Sequence, residues 1–262
     1  MIDLFSSHIF STEWHILVII GAVLLLATEF GYRMAMKHTP EIRQKRQGQA
    51  GTLQGALLGL LGLLLGFTFA MSVARFDTRK QLVLDESNAI GTAWLRAGLI
   101  NATGKQEAKA ALRQYAQSRL EMASDTIGSE TFMRALAESE KQQASLWRIA
   151  VAETSSPYTA LFASSLNDMI DMDSKRQAAL TNHVPAAVWL LLLLVSTTVC
   201  WTAGYTTALG ESGRMALSMI LLPILLTVVI TIIADFDQPR HGLIQISQDS
   251  MQQLQRTLQK YQ

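Results

Sequence analysis

Apolar positions along the chain gather into four runs, at about 14–32, 51–74, 184–209 and 215–234, and polar positions return between them. Each run is near the ~20 residues that a helix needs to cross ~30 Å of hydrocarbon, so the pattern predicts four membrane-spanning helices. Between the second and third runs the pattern becomes periodic. Leu112, Ala116, Leu120, Ala123 and Ile127 share one helical face, and Phe132, Leu136, Leu146, Trp147 and Ala150 share another on a helix near 129–152. Breaks are readable at Asn101 to Gly104, at Asp125 to Gly128, and at Ser155, Ser156 and Pro157, where a cap precedes a helix-starting proline. From Ser72 to Ile100 there is no proline and only Gly91, so the second membrane helix is expected to continue to about residue 99. A similar helix, 157–183, leads into the third crossing with a kink expected at Pro185. Asp235, Asp237, Pro239 and Gly242 end the fourth helix, Leu243, Ile244 and Ile246 suggest a short extended piece, and Met251, Leu254, Leu258 and Tyr261 form a stripe on a terminal helix expected to dock on the protein.

The fold class that follows is all-α: four transmembrane helices with a long extramembrane helical bundle inserted between the second and third. The expected domains are a first transmembrane pair (1–74), the bundle (75–183), a second transmembrane pair (184–234) and a tail (235–262).

Composition agrees with a membrane protein, since charged residues are 16% of the chain against roughly 25% in soluble domains, and hydrophobic residues reach 49%. Residues 1–13 hold no Lys or Arg and no small-residue cleavage pattern follows the first run, so that run is expected to stay as a membrane helix. A net charge of +1 argues against bulk electrostatic binding of nucleic acid. The single cysteine, Cys200, permits no intrachain disulfide. The expected short loop 33–50 carries Arg33, Lys37, Arg43, Lys45 and Arg46 against Glu41, and loop 210–214 adds Arg214 against Glu211. By the positive-inside rule these loops are cytoplasmic, which leaves 75–183 on the other side, the periplasm of a bacterium.

The most informative single feature is the set Gly51, Gly55, Gly59, Gly62 and Gly66 within the second apolar run. At ~100° per residue they fall within about 80° of one another on one helical face. A side-chain-free strip admits two readings: another helix packed backbone to backbone, or a conduit that needs room. Under the second reading, Phe67, Phe69 and Val73 at the end of the strip narrow the conduit, with Phe69 and Val73 returning to the glycine face.

Three other groups are candidates. Glu29 lies late in the first run, where Arg33 at i+4 is in reach as a local partner, the alternative being a carboxylate facing a polar cavity. Arg75, Arg79, Arg176, Asp235 and Asp237 form a charged belt at the edge of the apolar runs, read as structural salt bridges or as a selectivity ring. Asn167, Asp168 and Asp171 together with Asp85, Glu86 and Asn88 are expected to build a buried hydrogen-bond network. Histidines 8, 15, 38, 183 and 241 show no ligand spacing, Asp235 and Asp237 alone fall short of a hard-cation site, and no nucleophile constellation or phosphate loop appears. No metal, cofactor or catalytic residue is therefore expected, and the chain does not read as an enzyme.

The strings ATEFGYRM (27–34), GALLGLLGLLLGFTFAMSVARFDTRKQLVLDESNAIGTAWLRA (55–97), SLNDMIDMDSKRQAALTNHVP (165–185) and DFDQPRHGLIQISQ (235–248) resemble a family of uncharacterised bacterial membrane proteins called bestrophin-like. The resemblance implies an ion channel of the bacterial inner membrane, homo-oligomeric and pentameric by analogy with bestrophins, with the second helix lining the pore. Its implied partners are the lipid bilayer, further copies of the chain and inorganic ions. The acidic calcium-clasp run of bestrophins has only a faint echo in Asp235, Asp237, Pro239 and Gly242, and the short-loop charge argues for the opposite orientation. A non-conducting scaffold or sensor whose bundle binds a partner is the alternative.

Overall fold

In the computed structural model the described residues are 13–152, 156–210, 217–238 and 244–260. They are helical throughout apart from short connections: α1 (Glu13–Met36), α2 (Pro40–Ala97), α3 (Ala102–Ser124), α4 (Glu130–Ala152), α5 (Pro157–Thr181), α6 (Ala186–Leu209), α7 (Ser218–Asp237) and α8 (Asp249–Lys260). Among the described residues four stretches are long and apolar enough to cross a membrane: Leu17–Met36, Pro40–Ala97, Pro157–Leu209 and Met219–Asp237. The chain divides into two compact units, Met1–Ala74 with His183–Gln238, and Arg75–Asn182 with Pro239–Gln262.

The first unit is built from α1, the early part of α2, α6 and α7. Leu24, Leu61, Leu192, Val195, Val199, Cys200, Leu226 and Ile230 form its main core. α1 packs extensively on α6, and two glycines set their spacing. A Cβ on Gly204 would lie 1.9 Å from the carbonyl oxygen of Thr28, and one on Gly31 would lie 2.0 Å from that of Trp201. Each backbone therefore occupies the space where the other's side chain would stand, the geometry that small residues give to membrane helices.

Two sequence expectations about this unit are corrected. The loop 33–50 shrinks to residues 37–39, because α2 begins at Pro40 rather than near Gly51. Proline at a helix start forfeits no hydrogen bond, and the Glu, Arg, Gln and Lys that follow are good helix formers, so the helix starts well before its apolar part. At Pro185 the chain does not kink within a helix but leaves it. α5 stops at Thr181 and α6 begins at Ala186, consistent with the bias of a residue before proline away from helical backbone. The Glu211 and Arg214 loop, Pro239, Arg240, His241, Gly242 and Leu243, Ser155, His8 and Tyr261 lie outside the described residues.

The second unit contains residues 75–97 of α2, then α3, α4, α5 and α8. Ile90, Trp94, Leu112, Tyr115, Leu146, Phe162, Leu166 and Met169 belong to its core, which Met251 and Leu258 of α8 join. The terminal helix is thus docked, as its narrow stripe suggested. The break read at Asn101 to Gly104 is narrower than expected, since α3 already starts at Ala102 and Asn101 caps it, its Oδ1 accepting from the Gly104 N–H at 3.0 Å. At the cap read from the sequence Ser156 Oγ accepts from the Thr159 N–H at 3.1 Å, and Gly128 takes φ 84° in the turn before α4. On α4 the buried face is Phe132, Ala135, Ser139, Gln142, Leu146 and Ala150, so Trp147 is turned outward, and Ile127 is exposed in the turn.

The glycine pair makes a stability test. Gly204→Ala is expected to lower the melting temperature in detergent by several degrees, on the scale of overpacking that costs about 1–3 kcal/mol. Gly21→Ala, whose Cβ would meet nothing closer than 3.5 Å, is expected to melt as the unsubstituted protein does.

Candidate functional site

Helix α2 has three distinct faces within the first unit. Taking Gly51 as zero and ~100° per residue, Leu57, Leu61, Leu64, Leu65, Thr68 and Ser72 occupy the sector from about 220° to 320° and are buried or half-buried. Leu53, Leu60, Leu63 and Phe67 lie between about 120° and 200°, and all are exposed. The third sector, about 0° to 80°, holds Gly51, Gly55, Gly59, Gly62 and Gly66. Among the described residues no atom lies within 4 Å of a Cβ built on any of the five. The strip is consequently not a packing face against the described residues of its own chain.

Beyond the glycines the same sector carries Phe69 and Val73. The Phe69 ring meets Phe236 of α7 edge-on, centroids 5.8 Å apart, and remains 42% exposed. This contact fixes the ring at the border of the bare sector. Phe67 is off that sector, at about 160°, among the exposed leucines.

Glu29 and Asp237 of the first unit have local partners. Arg33 Nε sits 2.6 Å from Glu29 Oε1, one turn apart. Asp237, at the end of α7, accepts from the Val184 N–H with both carboxylate oxygens, at 3.0 and 3.1 Å, and its backbone carbonyl lies 3.2 Å from His183 Nδ1. It thereby satisfies a backbone donor freed by the break before Pro185. Asp235 is also buried.

In the second unit Arg79 is buried and donates to the carbonyl oxygens of Ala179 (3.1 Å) and Asn182 (2.9 Å), a cation at the negative end of the α5 dipole. Arg176 donates to Glu86 Oε2. Arg75 is half-buried. A buried network then extends inward from Glu86. Arg119 Nη1 is 2.6 Å from Asp173 Oδ1, and its Nε is 2.7 Å from Glu86 Oε1, a close ion pair too bent for a hydrogen bond. Tyr115 donates to Glu86 at 3.2 Å, and Gln143 donates to Asp173 at 2.6 Å. Burial, then the Glu86 carboxylate, hold the Tyr115 hydroxyl far above the usual phenol range. Burial opposes the charge on Arg119, but Glu86, Tyr115 and Asp173 outweigh it and its pKa is raised.

This arrangement corrects the expected network. Glu86 is in it, whereas Asn88, Asn167, Asp168 and Asp171 are exposed and Asp173 takes their place. Arg119 was missed outright. Among the described residues no group of three or more His, Cys, Asp or Glu is placed to hold a metal ion.

The sequence profile of the Bestrophin-like domain matches residues 21–251, nearly the whole chain. The chain belongs to the bestrophin-like family. Crystal structures of single-substitution variants of a bacterial bestrophin homolog from Klebsiella pneumoniae share the fold. One aligns with TM-score 0.62 at 13% identity, covering 93% of this chain and 98% of that one. A second aligns with TM-score 0.63 at 12% identity over 93% and 96%, and a third with TM-score 0.64 at 13% identity over 93% and 97%. Among curated proteins no sequence matches.

For this bestrophin-like membrane protein the glycine helix and the ionic network are carried by one continuous element, since α2 holds both Gly51–Gly66 and Glu86. Breaking a buried pair by removing one partner strands the opposite charge, at a cost of about 3–5 kcal/mol. Arg119→Met is therefore expected to lower the melting temperature strongly, as read by tryptophan fluorescence in detergent. Arg134→Gln, which removes an exposed surface pair with Glu130, is expected to leave it unchanged.

Proposed function

We propose that the chain is one subunit of a homo-oligomeric ion channel of the bacterial inner membrane, a pentamer by analogy with bestrophins, in which α2 lines the pore. The observation that supports this reading is the three-sector character of α2. Leucines on the second sector suit lipid tails, whereas a helix facing lipid on its third sector gains no side-chain packing from five glycines there, each of which in water costs about 0.8–1 kcal/mol against alanine in a helix interior. Room is what the glycines supply. Around a symmetry axis, bare sectors from several copies enclose a wide vestibule, and Phe69 and Val73 narrow it, with Phe67 flanking. Arg75 biases the ion choice at the mouth, whereas Arg79, buried on the α5 carbonyls, does not share that role, and the segment 75–183 forms the bundle outside the bilayer. In this reading the belt charges Arg79, Arg176 and Asp237 serve mainly as helix-end and network partners, and Glu29 is a local pair with Arg33 rather than an ion site.

Planar-bilayer recording of the purified protein tests this. Current is expected from the unsubstituted chain, a several-fold higher conductance from Phe69→Ala, and a reduced one from Gly59→Leu. Absence of current in every salt and at every voltage would defeat the channel reading. Orientation is tested separately by labelling intact cells with an impermeant thiol reagent. Glu130→Cys is expected to react and Lys45→Cys is not, which puts the bundle in the periplasm.

A further inference from the structure

We propose that the end of the first unit where α1, α2 and α6 meet binds the phosphate of an anionic phospholipid headgroup through Arg43 and Arg46. α1 ends at Met36 and α2 starts at Pro40, so Arg33, Lys37, Arg43, Lys45 and Arg46 crowd one hairpin end, with Arg33 already taken by Glu29. Arg46 Nη1 lies 3.2 Å from the Tyr205 hydroxyl and 3.2 Å from His38 Nε2. A guanidinium only donates, so that imidazole nitrogen is the acceptor and carries no proton. Arg43 Nη1 reaches the Ala208 carbonyl oxygen at 3.4 Å and the Met36 sulfur at 3.3 Å. Its Nε is buried and makes no hydrogen bond.

Both guanidinium groups are thus held by neutral partners, a phenol, an imidazole, a thioether and a carbonyl. Among the described residues no carboxylate forms an ion pair with either. The negative end of the α6 dipole offsets part of one charge at most. Two positioned guanidiniums beside a phenol are the donor set that recognises a phosphate ester.

The surroundings favour a lipid as the source of that phosphate. Trp201 stacks on Tyr205, centroids 5.5 Å apart, and such aromatic residues gather at the level of lipid headgroups. Phe30 and Met34, one turn apart on α1 and both exposed, lead up to the same end and offer an apolar surface for an acyl chain. A free phosphate would use only the polar half of this site.

The test uses the full chain in detergent, with bound lipid counted by native mass spectrometry and melting followed in parallel. Phosphatidylglycerol is expected to remain bound and to raise the melting temperature, while phosphatidylcholine does neither. Arg46→Gln is expected to weaken phosphatidylglycerol binding about fivefold, the effect of one basic residue at a membrane surface. Arg134→Gln in the other unit should bind as the unsubstituted chain does. Arg46 is exposed, so its variant reads the site even where Arg43→Gln fails to fold. Equal retention of phosphatidylcholine, or undiminished phosphatidylglycerol binding by Arg46→Gln, would overturn the proposal. Equal stabilisation by inorganic phosphate at the same concentration would also overturn it, by assigning the site to a free anion.

Discussion

Leu61, Thr68 and Ser72 of α2 are buried against the rest of their unit, and about a third of a turn away five glycines have no atom of the described residues within 4 Å of where their side chains would begin. The leucine and glycine sectors are both exposed, and they differ in what they present: projecting side chains on one, bare backbone on the other. In the proposed oligomer the leucines of α2 lie toward lipid or neighbour, and the glycines toward a shared space.

Glycine plays a second and opposite part in α1 and α6. There Gly31 and Gly204 bring two backbones into contact, and nothing larger fits. The comparison shows why residue type alone does not assign a role to a glycine in a membrane helix. The strip on α2 was legible because five glycines repeat on one face within a single helix. Gly31 and Gly204 are isolated in their own segments, and their pairing exists only once α1 and α6 cross.

A similar limit governs the charged network. The spans, the cap at Ser156 and the apolar stripe of α8 could be read from local spacing, because each depends on neighbours within a turn or two. Which of Asp168, Asp171 and Asp173 turns inward depends on the rotation of α5 against α2 and α3, and that is set by packing among Phe162, Leu166 and Met169 rather than by the acids themselves. Arg119 looked like any surface cation on an amphipathic helix. Buried, it joins Glu86 to Asp173, and removing one member of such a pair costs far more than the intact pair adds to net stability. The unexpected early start of α2 has the same origin: apolarity marks the membrane portion of a helix, whereas polar helix formers extend it without any change of periodicity.

Water access along α2 in the assembled protein is the most direct measure of whether the bare sector faces a conduit. A charged, membrane-impermeant thiol reagent applied to Gly59→Cys and Leu60→Cys, in a background where Cys200 is Ala, compares adjacent positions on the glycine and leucine sectors. Rapid modification at position 59 with little at position 60 is the expected result. Inertness at both positions, or equal reaction at both, would contradict the account.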